Sequence, residues 1–239
     1  MSLVSGNPGR AESGGVSDVG EPSWRRRAVS RSLTAARSRA EDRVQRFVDA
    51  AFSLIDERGT TDFTIQEVID RSRQSLRAFY QHFDGKDELL LALFEETVSE
   101  SAEDIRQVVE SETKPLERLH AFTIRLHYWC EPEVRPRRRG SHNRRPIMEF
   151  TLQLVANHPE RVKAAIAPVS NMLLALLDEA VAAGVIETAD TRRAAALVQQ
   201  TVLSSWLGNR LAHNPRTRVT AEETWQFCLH GLQGQPRRS

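Results

Sequence analysis

The sequence has little cysteine, no long apolar run and almost no net charge, and each of these features excludes a class of protein. Its 239 residues include two cysteines, Cys130 and Cys228, which lack the CxxC spacing of a metal or redox motif and are too few for a disulfide framework. The longest purely apolar runs, residues 89–94 and 172–177, hold about six residues, whereas a membrane-spanning helix needs about 20. The N-terminus also lacks the apolar core of a signal peptide. We therefore expect a cytoplasmic protein with free thiols and no membrane partner.

The formal net charge of +1 does not by itself indicate a nucleic-acid partner, but the charges are unevenly distributed along the chain. Residues 22–40 contain six arginines and no acid, whereas residues 84–112 contain ten acids and two bases. Lysine is scarce and arginine supplies nearly all the positive charge. Arginine suits bidentate contacts with phosphate and guanine, although a GC-rich genome produces the same bias.

Changes in composition divide the chain into four segments. Residues 1–21 are rich in Gly, Ser and Pro and are expected to be disordered, and the basic stretch after Trp24 could lead helically into the first helix. We predict a disordered, basic N-terminal arm, a DNA-binding domain, a helical ligand-binding and dimerisation domain and a short tail. The predicted bounds are residues 1–38, 39–85, 86–233 and 234–239.

Residues 64–83 predict two short helices joined by a tight turn. Thr64 and Glu67 have the S/T-x-x-E spacing of a capping box, which starts a helix by satisfying two backbone donors. A polar turn follows, and Ser75 is a good N-cap for the second helix. This arrangement is typical of a helix-turn-helix, whose second helix enters the major groove of DNA, although an ordinary helical hairpin has the same outline.

The residues around this pair decide between those interpretations. An amphipathic helix ending near Gly59 precedes the pair, and a new helix begins near Lys86. Residues 43–94 as a whole resemble the TetR family of bacterial transcriptional repressors. The matching residues are Thr64, Ile65, Val68, Arg71, Ser75, Phe79, Tyr80, Phe83, Lys86, Leu89 and Leu90. The rest of the chain matches the family only in being helical and of suitable length.

The resemblance implies a set of DNA contacts in this sequence. Thr64 would place a phosphate at a helix N-terminus, where backbone N–H groups favour an anion. Of the other predicted residues, some would bind phosphates and some would contact base edges. The rest lie in or next to the turn before the second helix. The full set is Thr64, Arg73, Ser75, Leu76, Arg77, Tyr80, Gln81, His82 and Lys86. Among them Arg77 could pair with guanine and Gln81 with adenine. The alternative for each is an ordinary solvated side chain.

Two departures from the family pattern concern Arg73 and the charge of the domain. The family usually has glycine at the position of Arg73, and a positive φ there would cost another residue about 1 kcal/mol. Either the turn differs, or Arg73 is tolerated because it reaches a phosphate. Residues 41–83 hold eight acids and six bases, so this segment is not electropositive. The arginines of residues 25–39 then either supply the missing phosphate contacts or form a solvated tail.

Beyond residue 86 the apolar periodicity predicts helices only, so the expected fold class is all-α: an N-terminal three-helix helix-turn-helix domain followed by a helical body. Pro168 is expected to kink or split one helix. The predicted helices span residues 86–110, 115–130, 146–157, 159–184, 190–212 and 220–232.

The resemblance implies that the body forms a homodimer and binds a small molecule. The last two helices, residues 190–232, are the predicted dimer interface, because they combine small and apolar residues. The alternative is that these residues form the core of one chain. Aromatic and flexible side chains with a few polar ones predict a pocket for a lipophilic ligand. Its predicted residues are Phe122, Leu126, Trp129, Met148, Gln153, Asn171 and Met172, with His127 among them.

The sequence thus predicts a repressor that binds a palindromic operator as a dimer and is released by a lipophilic inducer, with no enzymatic activity, cofactor or metal. A DNA-binding protein without a ligand is the first alternative. A helical thiol enzyme is the second, since His127 and Cys130 could share a helix face. His120, His127 and Glu131 could be regarded as metal ligands, but they match no known pattern.

Overall fold

The computed structural model describes residues 23–131, 145–212 and 214–233, and within those ranges every regular element is a helix. The first 22 residues of the predicted arm, the tail and most of the Pro/Arg-rich segment 131–146 lie outside the described residues. A short 3₁₀ turn, Pro215–Thr217, precedes the last α-helix. The helices are α1 Ser23–Arg58, α2 Ile65–Ser72, α3 Leu76–Tyr80, α4 Lys86–Glu110, α5 Pro115–Cys130, α6 Arg145–Asn157, α7 Pro159–Ala182, α8 Thr191–Leu211 and α9 Ala221–Gln233.

Helix α1 crosses the boundary between two compact units, residues 1–43 and 44–239. Residues 23–38, which we predicted as part of a disordered arm, are helical. This stretch contains no glycine or proline, and its alanines, arginines and leucine favour the helix. Arg37 and Glu41, one turn apart in the same unit, form an ion pair at 2.7 Å, which supports the helix further.

In the second unit, α2 and α3 pack on the C-terminal half of α1 through aromatic rings. The ring of Phe47 meets those of Phe79 and Phe83 edge-on, with centroids 5.4 and 6.1 Å apart. Val68 and Ile69 of α2 are buried in the same cluster. These three helical segments, residues 44–83, are called the head below. Edge-to-face pairs add specific geometry to apolar burial, so they fix the angle at which α3 meets α1.

The other helices form a body in which α5 is central. Helix α5 contacts α4, α7, α8 and α9, while α4 also contacts α6 and α7. One hydrophobic cluster runs from Phe47 in the head, through residues 89–94 of α4, to Leu232 in α9. Head and body therefore share a core, and α4 is the helix that belongs to both parts of it.

Helix α7 continues without interruption through Pro168, so the split predicted there is not observed. Its inward residues, including Val169 and Leu173, are buried, and α7 packs on α4, α5, α6 and α8. This packing offsets the backbone hydrogen bond that proline removes. Helix α7 is also long and apolar enough to cross a membrane, a property that core helices of soluble proteins share.

Candidate nucleic-acid interface

The start of α2 is held by a reciprocal hydrogen-bond pair. The backbone N–H of Glu67 donates to the Thr64 hydroxyl at 3.2 Å, and the backbone N–H of Thr64 donates to the Glu67 carboxylate at 2.7 Å. Arg58 of α1 also donates to this carboxylate, and these contacts, led by Arg58, lower the pKa of Glu67 to about 2. The predicted capping box is confirmed. The Thr64 hydroxyl donates to Glu67 as well, so a phosphate at this helix end would compete with a carboxylate.

Helix α2 ends in a left-handed turn at Arg73. Its φ of 55° and ψ of 37° make it the one non-glycine residue with a positive φ among those the structure describes. The backbone N–H groups of Arg73 and Gln74 both donate to the Ile69 carbonyl, which closes the helix. Of the two alternatives that the sequence left open, the turn keeps the left-handed conformation with Arg73 in it, at a strain of the order of 1 kcal/mol.

Helix α3 presents an exposed outer face that includes two large apolar side chains. The Ser75 hydroxyl caps the helix by accepting from the Ala78 N–H at 3.1 Å. Phe79 is fully buried, whereas Leu76 and Tyr80 are 50% and 54% exposed. The helix is shorter than predicted, because residues 81 and 82 form a turn. The exposed residues Arg73, Ser75, Leu76, Arg77, Tyr80 and Gln81 are called the recognition surface below.

The last two predicted DNA contacts, His82 and Lys86, border this surface. His82 is half-buried, and its Nε2 atom is buried without a partner among the described residues. That nitrogen therefore faces away from any phosphate at the surface. Lys86 begins α4, and its ammonium group lies 4.8 Å from the centre of the Phe63 ring, an attractive cation–π distance. The Phe63 ring thus holds the ammonium end of the Lys86 side chain.

Two arginines of the head form ion pairs away from the recognition surface, and two others at that surface do not. Arg58 binds Glu67, and Arg71 makes a two-pronged contact with Glu57 at 2.5 and 2.7 Å. The guanidinium groups of Arg73 and Arg77 have no such partner among the described residues. Although residues 41–83 hold more acids than bases, Arg73 and Arg77 thus remain as unpaired positive charges near the start of α3.

The structure brings some predicted ligand-binding residues to the interior of the body and leaves others on its surface. Phe122 and Leu126 of α5 are buried, and Trp129, Met148 and Met172 are half-buried. Gln153 and Asn171 are exposed, because their helices turn other residues, such as Leu154 and Leu173, inward. Trp129 is fixed by its indole N–H, which donates to Asp104 of α4 at 2.6 Å.

Among the described residues, those considered for a thiol enzyme or a metal site are either unreactive or not grouped together as a site. Burial raises the pKa of the Cys130 thiol to about 12, so at neutral pH it is not the thiolate that nucleophilic catalysis requires. His120 points to Glu222 of α9, with its Nε2 atom 2.9 Å from the carboxylate. Among the described residues no three metal-ligating side chains are grouped as a site. His127 is buried and has no hydrogen-bond partner there.

Residues 47–93, which include the recognition surface, match the family model of the bacterial regulatory proteins of the tetR family. The match places this segment of the chain in that family. The HTH-type transcriptional regulator BetI of Brucella canis is 29% identical over 80 residues, which are 34% of this chain and 40% of that regulator. The match to such curated relatives thus spans less than half of their length.

Solved structures extend the likeness to most of the chain. A TetR-family transcriptional regulator from Pectobacterium atrosepticum has a TM-score of 0.64 at 19% identity, covering 84% of this chain and 99% of that one. FadR from Bacillus subtilis, in complex with stearoyl-CoA, has a TM-score of 0.54 at 16% identity, covering 79% and 97%. RolR in complex with resorcinol has a TM-score of 0.59 at 18% identity, covering 83% and 91%. At these identities the likenesses establish the fold alone.

The two C-terminal helices, α8 and α9, carry several exposed apolar side chains. Leu197, Leu207 and Leu211 of α8 are 58%, 50% and 68% exposed, and Phe227 of α9 is 71% exposed. An open depression of about 470 Å³ lies along α8, lined by residues such as Thr201, Ser204 and Gly208. These residues are called the α8–α9 surface below.

Several residues that we predicted for the dimer interface are instead buried within one chain. Val202 is fully buried, because residues one turn apart along α8 face α5 and α9 while Leu197 and Leu207 face outward. The residues of the predicted set with this inward placement are Ala194, Val198, Val202, Trp225, Cys228 and Leu232. They form core contacts of one protomer, which was the alternative interpretation of the sequence.

Replacing Arg73 by glycine should relieve the strain of the turn. We expect Arg73→Gly to raise the free energy of unfolding by about 1 kcal/mol relative to Arg73→Ala, because alanine keeps the left-handed strain. Both variants lose the guanidinium group, so they should lose duplex affinity equally. Urea denaturation and a duplex-binding assay measure the two effects. Equal stability of the two variants would show that Arg73 carries no strain.

Proposed function

We propose that this protein is a cytoplasmic transcriptional repressor that binds a palindromic operator as a homodimer and is released by a lipophilic small molecule. The observation that carries this proposal is the recognition surface. It places two unpaired arginines beside exposed Leu76 and Tyr80 on a helix that is capped at its start and packed on aromatic rings from behind. Unpaired cations suit phosphates, and a protruding helix face suits the major groove.

A duplex-binding experiment separates phosphate contacts from base contacts. Lys86→Ala should weaken binding to operator and unrelated duplexes alike and reduce the slope of log affinity against log salt by about one unit. Arg77→Ala should instead lower discrimination at one base pair by about 1–3 kcal/mol. Lys163→Ala, which removes an exposed cation from α7, is the matched control and should bind like the parent. Parent-like binding by both head variants would remove the recognition surface from the proposal.

Dimerisation follows from the size of the recognition surface. Helix α3 spans five residues and can read only a few bases, so a specific site requires a second copy related by two-fold symmetry. The α8–α9 surface supports this step, because its leucines and Phe227 are large apolar side chains that are exposed in one protomer and would be covered in a dimer. Its small residues would allow two helices to approach closely.

A charge placed on the α8–α9 surface should separate the protomers. Leu207→Glu buries an unpaired carboxylate in the proposed interface at a cost of several kcal/mol, which weakens the dimer by about a hundredfold or more. Leu152→Glu places the same charge on exposed α6 and should leave the dimer intact. Sedimentation velocity measures the mass, and circular dichroism checks that each variant is folded. A folded Leu207→Glu dimer would place the interface elsewhere.

Contacts at the start of α4 support coupling between the body and the head. Arg161 of α7 donates to Glu88 at 3.1 Å and approaches Glu95 at 3.2 Å, both on α4. The other oxygen of Glu88 accepts the backbone N–H of Asp84, in the loop that follows α3, at 2.6 Å. A ligand that moves α7 would therefore shift the Glu88 carboxylate, which also contacts the loop beside the recognition surface.

Removing Arg161 should loosen this loop. An exposed ion pair contributes about 0.5–1 kcal/mol, so Arg161→Ala should speed hydrogen exchange of the Asp84 amide about two- to fivefold. Lys163→Ala, two residues along α7, serves as the control and should not change the rate. Mass-spectrometric exchange of a peptide covering residues 81–90 makes the measurement, because the Asp84 amide then lies inside the peptide. An unchanged rate in Arg161→Ala would exclude this route of coupling.

The nature of the ligand is supported by the body and by its structural neighbours. Phe122, Leu126, Trp129 and Met172 offer an apolar and aromatic environment on α5 and α7. Structural neighbours of this chain were solved with stearoyl-CoA and with resorcinol, two ligands with apolar parts. A DNA-binding protein without a ligand is the remaining alternative, and operator binding that no small molecule weakens would favour it. The protonated thiol of Cys130 gives the enzyme alternative no support.

A further inference from the structure

We propose that Leu76 contacts the 5-methyl group of a pyrimidine base in the major groove, which in unmodified DNA is a thymine. The inference rests on the proposed function and assigns a specificity-determining residue to the recognition surface. The contacted base lies within two base pairs of the one that Arg77 reads, once in each half-site of the operator.

Leu76 is the first residue of α3, and the start of this helix is fixed to the head. The Ser75 hydroxyl accepts from the Ala78 N–H at 3.1 Å, and the Ser75 carbonyl accepts from the Phe79 N–H at 3.0 Å. The Phe79 ring is fully buried and meets the Phe47 ring edge-on at 5.4 Å. The helix therefore sets the direction of Leu76, at the end of a recognition helix that contacts base edges.

Leu76 leaves about half of its surface uncovered. It is 50% exposed, and Tyr80, one turn further on the same flank of α3, is 54% exposed. The Tyr80 ring stands edge-on to the Phe79 ring at 5.5 Å, so it is held at the other end of this short helix. The exposed part of Leu76 gains free energy only when another apolar group covers it.

Two arginines flank Leu76 and would bring it against DNA. Arg73 lies three residues before it and Arg77 directly after it, and both are exposed, with no ion-pair partner in the part of the chain that the structure describes. Their guanidinium groups suit phosphate oxygens and guanine edges. A duplex bound by both arginines therefore meets Leu76 as well, and leucine can neither donate nor accept a hydrogen bond.

The thymine 5-methyl group is the apolar group that a standard base pair presents in the major groove. Leucine placed against another base edge would desolvate polar atoms without replacing their hydrogen bonds, which is unfavourable. Adjacent Cα atoms lie about 3.8 Å apart and base pairs about 3.4 Å apart, so Leu76 and Arg77 reach neighbouring base pairs. The leucine thus selects a thymine beside the base pair that Arg77 reads.

The test uses the full-length protein and the operator that it selects from a random duplex library. Each thymine of a half-site is replaced in turn by uracil, which keeps every hydrogen bond of the base pair and removes only the methyl group. At one thymine this change should weaken binding about fourfold, and about fifteenfold when both half-sites carry it, as for the loss of one or two buried methyl groups. Fluorescence anisotropy at fixed salt measures the affinities.

Variants of Leu76 connect this preference to the leucine. Leu76→Ala should bind the thymine and uracil operators equally, because the group that contacts the methyl is gone. Leu76→Met keeps a long apolar side chain and should retain the preference, which keeps the test valid if the alanine variant does not fold. Leu152→Ala removes an exposed leucine from α6 and, as the control, should show the preference of the parent. Circular dichroism checks the fold of each variant.

A second series of operators carries 5-methylcytosine in place of each cytosine and distinguishes the two sources of the methyl group. Methylation of one cytosine that strengthens binding by the parent about fourfold, and not by Leu76→Ala, would support the methyl contact and identify its base as 5-methylcytosine.

Three results would overturn the assignment of Leu76. They are operators in which no pyrimidine methyl group affects the affinity, a preference that persists in Leu76→Ala, and a methyl-sensitive base more than two base pairs from the position that depends on Arg77. A parent protein that selects no sequence from the library would instead overturn the proposed function, so the two failures are distinguishable.

Discussion

The burial of residues 89–94 in helix α4 is the constraint on which the rest of the structure depends. Leu89, Leu90, Leu91 and Leu93 are fully buried and Phe94 is nearly so. A helix whose apolar residues occupy all sides must be covered on all sides. Here one continuous core, from Phe47 in the head to Leu232 in α9, provides the cover. The recognition surface and the body therefore share one core through α4, which is the route by which the proposed ligand would act on the head.

Local features of the fold could be predicted from the sequence because single residues produce them. Thr64 with Glu67, Ser75 and Pro115 mark helix starts through their hydrogen-bonding or steric properties, and the structure begins helices next to each of them. Placement within the tertiary structure could not be predicted in the same way. Val202 and Leu207 are both apolar residues of α8, yet one is buried in its own chain and the other is half exposed. Apolar periodicity shows that a face is covered and does not identify what covers it.

The candidate sites show the same difference between local features, which the sequence predicts, and tertiary placement, which it does not. The outward face of α3 follows from the helical repeat once Phe79 is known to be inward. The neutralisation of Arg58 and Arg71 by acids distant in sequence requires the folded chain, and so does the exposure of Gln153 and Asn171. Sequence alone named His127 as one polar residue among several near a pocket. The absence of any described partner for both of its nitrogens is visible only in three dimensions.

The most direct test of the account is selection of duplexes from a random library by the purified full-length protein, followed by footprinting of the enriched sequence. Two recognition surfaces related by two-fold symmetry predict one palindromic motif, with half-site centres about 34–36 Å apart or a multiple of that distance. Both half-sites should be protected equally. Enrichment of no motif, or of a single asymmetric site protected on one side, would contradict the central claim that this chain is a dimeric, sequence-specific DNA-binding regulator.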